Sequence, residues 1–197
     1  MVSAGYWRGS DQRESSIESA LRWTVRMAGA LGRGVLAGLA ATAAMSLSTS
    51  IEMRLSGRES SSTPVAAAGK TLGVQPRDQR GAKRFGTLVH WGYGTGWGAV
   101  GGLLHHGVSE PIASATHFGL VWGTEVTLLP AMEVIPPLPE WPPGEVAMDV
   151  WHHIVYVATF AAVWAVLDRY AQPVTATDRL IARLGDASSR VRGRLAG

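Results

Sequence analysis

His90, Glu125, Asp149, His152 and His153 are the residues of this chain whose types could do chemistry together. Imidazole nitrogens and carboxylate oxygens hold divalent first-row cations, and a carboxylate behind an imidazole fixes which ring nitrogen faces the metal. Asp149 lies three and four residues before His152 and His153, so on a helix it reaches one of the two rings. Without a cation the same groups can pass protons, as intramembrane acids and imidazoles do. A Glu beside a His can also be a purely structural pair that fixes helix register. All three readings stand on the residues alone. A haem between His90 and a histidine of the 152–153 pair fits less well, because carboxylates favour harder cations.

Several chemistries are excluded. The chain has no cysteine, hence no disulfide, thiolate ligand or cysteine nucleophile. It has no GxSxG elbow, and the glycines between Gly92 and Gly98 sit in an apolar run with no lysine following, unlike a phosphate loop. The expectation leans away from an enzyme. A lipid-acting enzyme ranks behind a metal or proton site, and behind an accessory subunit of a larger membrane complex.

The elements that position these residues follow from charge. All eighteen Lys and Arg lie outside 85–168, a stretch with three apolar segments of membrane-spanning length. A water-facing surface of that extent without a permanent cation is foreign to soluble domains. With roughly 20 residues per crossing, the chain is expected to be an all-α integral membrane bundle of four transmembrane helices, over about 34–51, 85–104, 112–132 and 146–167. A polar arm over 1–33 leads in, and a basic amphipathic helix over 169–197 follows. The net charge of +3 comes from basic residues that flank apolar segments, which suits anionic lipid headgroups, above all at the C-terminal arm, and not nucleic acid.

The first segment is the least apolar, yet its Gly34, Gly38, Thr42, Ser46 and Ser50 make a stripe that is small at every fourth position. Gly94, Gly98 and Gly102 make a second one, with His90 a turn earlier on the same face. Such stripes let helices approach closely, within the chain, in a homo-oligomer or against another membrane protein. The 54–84 loop carries Pro64 and Pro76, with a short helix expected from Pro64 to Val74. The prolines of 133–145 enforce a stiff connection around Trp141. His105 and His106 are expected to be solvated in the turn between the second and third spans, with His117 a packing donor.

Alternating helices put the ends of the first and third spans and the starts of the second and fourth on one side. At 1.5 Å per residue, Glu125, His152 and His153 lie roughly 10 Å inside that face, His90 roughly 8 Å. Asp149 is shallower, and Glu52 stands at the mouth. Eleven arginines fall on the side of the termini against seven cations in the 54–84 loop, which favours cytoplasmic termini. If the first segment re-enters without crossing, three spans remain.

Glu52 to Arg58 (EMRLSGR), His90 to Gly98 (HWGYGTGWG), Trp122 to Pro130 (WGTEVTLLP) and Trp151 to Tyr156 (WHHIVY) resemble a group of small bacterial multi-pass membrane proteins of unknown function, with a fainter similarity to YagU-like inner-membrane proteins. The resemblance covers the four-span core. It implies a helical, multi-pass protein of the bacterial inner membrane and supplies no reaction.

Overall fold

Helix formation runs further along the chain than the apolar segments do. The computed structural model describes residues 4–59, 61–171 and 183, with side chains from residue 16 onward. Among these the structure is all-helical: α1 (Ala4–Ser56), α2 (Thr63–Leu72), α3 (Gln79–Gly107), α4 (Ile112–Ala131), a 3-10 turn at Leu138–Glu140 and α5 (Pro143–Tyr170). The described residues fall into two compact units, 29–166 and those outside it. The amphipathic helix expected over 169–197 lies, past residue 171 and apart from Arg183, outside the described residues.

Three element boundaries differ from those read off hydropathy. α1 shows no break near residue 33, where hydropathy divides the polar arm from the first span, and continues as one helix of 53 residues. α3 begins at Gln79, six residues before its apolar run. Asp78 caps it, its Oδ1 accepting from the Gly81 N–H at 2.6 Å, which satisfies one of the free donors at a helix start. α5 begins at Pro143, inside the proline-rich connection. Proline suits the first helical position because it lacks only a donor that has no partner there.

The interior of the 29–166 unit is built on close contact. Ala30, Ala37 and Ala41 of α1 are fully buried with Val121, Tyr156, Val157, Phe160 and Trp164. The two small-residue stripes face each other. A Cβ added at Gly34 would lie 2.8 Å from Gly102 Cα, and one at Gly38 would lie 2.6 Å from Gly98 Cα. Thr42 lies against Gly94 one turn on, and Ser46 reaches His90 one turn further. Each four-residue step along α1 thus meets a four-residue step back along α3, an antiparallel register that only hydrogen atoms at the crossing points permit.

At the end of the unit that carries the two longer loops, α2 packs on the start of α3, with Val65 seated over Gly86. Lys70 of α2 donates to the main-chain oxygens of Met132 and Glu133 at 2.7 and 3.3 Å, just past the end of α4. A cation there satisfies carbonyls that the helix leaves free. The α1–α3 and α4–α5 connections are therefore joined directly.

Two helices, α1 over Ser16–Ser56 and α5, are long and apolar enough to cross a membrane. α3 is diluted by glycine, and α4 carries His117 and Glu125.

Candidate metal centre

α4 and α5 build the centre between them. His153 is buried on α5, its Nδ1 2.9 Å from the main-chain oxygen of Asp149 one turn earlier. A carbonyl only accepts, so Nδ1 carries a proton and Nε2 is the nitrogen left for another partner. Nε2 lies 2.9 Å from Glu125 Oε2 on α4. Two acceptor lone pairs would repel at that distance, so one proton, or a cation in its place, belongs between them.

Asp149 completes the arrangement. Its carboxylate accepts from Trp122 Nε1 at 2.8 Å, and its Oδ2 stands 3.7 Å from His153 Nδ1. Trp122 is one turn before Glu125 on α4, so a single helix face supplies both the acid and the group that orients its neighbour. One ligand atom from each of Glu125, Asp149 and His153 lies within 4.8 Å of the other two. A tetrahedral ion about 2.0–2.2 Å from its ligands holds them about 3.4 Å apart. That spacing falls between the 2.9 Å of the Glu125–His153 pair and the 4.8 Å limit of the trio.

The other residues assigned to this centre by depth lie elsewhere. His90 Nε2 is 3.1 Å from Ser46 Oγ, and His152 Nδ1 is 3.0 Å from Ser48 Oγ, so both rings turn to α1. Glu52 accepts from Arg58 at 2.7 Å and from Ser56 at 2.9 Å, which ties the end of α1 to the following loop. The carboxylate holds the Arg58 guanidinium above its usual range. Tyr156, one turn beyond His153, donates to the Gly94 oxygen at 2.6 Å.

A second polar group lies at the opposite end of the unit. His105 is not solvated in a turn, because α3 continues to Gly107 and carries it inward. Its ring meets those of Phe160, Trp164 and His117, while Glu110 faces its Nδ1. His117 is fully buried and donates from Nε2 to the Trp97 oxygen at 3.1 Å. A Cβ at Gly101 would come within 2.8 Å of its Nδ1, so no ligand fits on that side. Arg33 stacks 5.1 Å above the Trp164 ring. His106 is exposed.

Trp122, Ser46 and Ser48 are partners that depth alone does not single out. Ser46 belongs to the small stripe and Trp122 to the face of Glu125, so helical spacing carried a signal for both. No family model, curated protein or solved structure matches the chain.

Proposed function

We propose that this is a four-helix protein of the bacterial inner membrane that binds a divalent first-row cation through Glu125, Asp149 and His153. The observation that carries the cation is the convergence of those three ligand atoms around a histidine whose tautomer is already set. Two carboxylates and one imidazole suit Zn²⁺, Mn²⁺ or Fe²⁺ and leave positions for water or a further ligand. The Asp149 carbonyl behind Nδ1 is the kind of outer partner that metal-bound histidines have.

Membrane insertion through four helices, and not two, is supported by what they expose. Leu36 and Leu47 on α1, Leu88 and Leu103 on α3, Leu120 and Leu128 on α4, and Ile154 and Val166 on α5 all stand open. Apolar surface spread over four helices, in a stretch with no lysine or arginine from 85 to 168, is what acyl chains cover. The Lys70 contact supports one shared side for the two longer loops, and the eleven arginines of the terminal segments favour cytoplasmic termini. Since the protein has no native cysteine, Ser61→Cys and Val108→Cys in intact cells can report topology cleanly. A membrane-impermeant thiol reagent is expected to label the first and spare the second. Labelling of both from outside would remove the four-span arrangement.

Metal analysis tests the centre. Detergent-purified protein is expected to hold about one equivalent of cation, lost in Glu125→Gln and Asp149→Asn. Equal, negligible metal in all three would leave the trio a structural lock. Trp122→Phe keeps the stack on Phe118 but removes the indole donor to Asp149. Its metal affinity is expected to fall about 10- to 100-fold, measured by calorimetric titration. An accessory subunit docking through the glycine stripes is the weaker reading, because α1 and α3 cover those stripes with each other.

A further inference from the structure

The early start of α3 puts charge and apolar surface on one ridge. Arg80, Lys83, Arg84, Thr87, Leu88 and Trp91 recur at three- and four-residue steps and line a shallow, open cleft along one face of α3. All but Trp91 are exposed. Other cations nearby are engaged: Arg58 by Glu52, and Lys70 by Glu133 and the carbonyls past α4. No carboxylate among the described residues forms an ion pair with Arg80, Lys83 or Arg84. Three unneutralised cations within about one helical turn call for an anion of more than one charge contact.

The order along the ridge narrows the choice. From Arg80 to Trp91 the helix rises roughly 16 Å. The cations come first, the Thr87 hydroxyl lies between, and Leu88, 70% exposed, and Trp91 come last. A soluble anion such as free phosphate has no use for the apolar half. Charge, ester-level polarity and hydrocarbon follow one another in the same order in a membrane phospholipid, with tryptophan suited to the boundary.

We propose that this cleft binds one anionic phospholipid, its phosphate held by Arg80, Lys83 and Arg84 and its acyl chains lying over Leu88 and Trp91. The site rests on the reading that α3 crosses the membrane with residue 85 near the interface. It is separate from the metal centre, which lies on α4 and α5.

The experiment uses the full chain, extracted from membranes and exchanged into detergent with equal amounts of phosphatidylglycerol and phosphatidylcholine. Retained lipid is then counted by native mass spectrometry. Wild type is expected to keep phosphatidylglycerol preferentially. The Arg80→Gln/Lys83→Gln/Arg84→Gln variant is expected to lose that preference, with affinity down roughly 100-fold for three near-surface cations. Leu88→Ala/Trp91→Ala is expected to weaken retention with the cations intact, and unchanged metal binding in both variants checks their folding. Equal retention of the two lipids, displacement by inorganic phosphate at matched concentration, or wild-type retention by the triple variant would each overturn the site. Recovery of the protein without detergent would instead strike the membrane reading at the extraction step, before lipid is measured.

Discussion

Gly98→Ala is expected to lower the unfolding midpoint of the detergent-solubilised protein sharply, although it adds a single methyl group. A Cβ at that position would lie 2.6 Å from the Gly34 oxygen and 2.9 Å from the Gly38 nitrogen. Both are main-chain atoms, so no side-chain rotation can relieve the contact. α1 and α3 would have to separate along their shared register, loosening Gly34 against Gly102 and Thr42 against Gly94 as well. Overpacking a close-packed interior costs about 1–3 kcal/mol where neighbours can adjust, and backbone against backbone belongs at or above the upper end. Gly96, two residues earlier, has nothing within 4 Å of its Cβ position. Gly96→Ala is expected to act in the opposite direction, stabilising by about 0.5–1 kcal/mol because a helix-interior glycine gives up more backbone freedom than alanine. The contrast is read from unfolding in mixed micelles. A Gly98→Ala protein as stable as wild type would mean that the two stripes do not meet.

That register was partly legible beforehand. A four-residue repeat of small side chains states that a helix face expects a close neighbour, and two such stripes in one chain are natural partners. The same face carried His90, and its fate follows from that: a ring one turn beyond Gly94 goes where the glycines go, to Ser46 of α1. Depth along the membrane grouped it with Glu125 instead. Depth is a single coordinate, whereas a site needs the rotation of each helix about its axis as well. For α5 the rotation is set by interior packing of Tyr156 and Phe160, which turns His153 toward α4. His152, its chain neighbour, is carried round to Ser48.

Boundaries were harder to read for a different reason. The cations of 77–84 read as loop because charge is unwelcome in a spanning helix, but a helix need not stop where the hydrocarbon does. The signal was Asp78, an N-cap placed before Gly81. Overlooking it hides the ridge on which Arg80, Lys83 and Arg84 align. His105 shows the converse: a polar residue near a turn reads as solvated, while the extension of α3 to Gly107 lays its ring against Phe160 and Trp164.

His153→Ala is expected to be the most damaging change at the centre, for stability as well as for metal. The imidazole now contacts both residues, meeting the Glu125 carboxylate at 2.9 Å through Nε2 and the Asp149 main chain at 2.9 Å through Nδ1. Without it, two half-buried carboxyl groups, one oxygen of each within 4.8 Å of the other, lose the cation-forming group beside them. Removing one partner of a buried ionic pair costs about 3–5 kcal/mol, most of it from the group left behind. If the loss has that origin, neutralising the remaining acid should recover part of it. Glu125→Gln/His153→Ala is then expected to be more stable than the sum of its single variants by about 0.5–3 kcal/mol. His152→Ala is the internal control for loss of a buried ring, since it leaves a similar cavity and gives up one hydrogen bond to Ser48, worth about 1 kcal/mol, without breaking an ion pair. Unfolding of wild type, the two single variants and the double variant in metal-free mixed micelles closes the cycle, with His152→Ala measured beside them, and keeps this result independent of cation binding. Additive effects of the Glu125 and His153 changes would mean that the two side chains do not act as a pair. A His152→Ala loss as large as that of His153→Ala would place the critical imidazole on the α1 side instead.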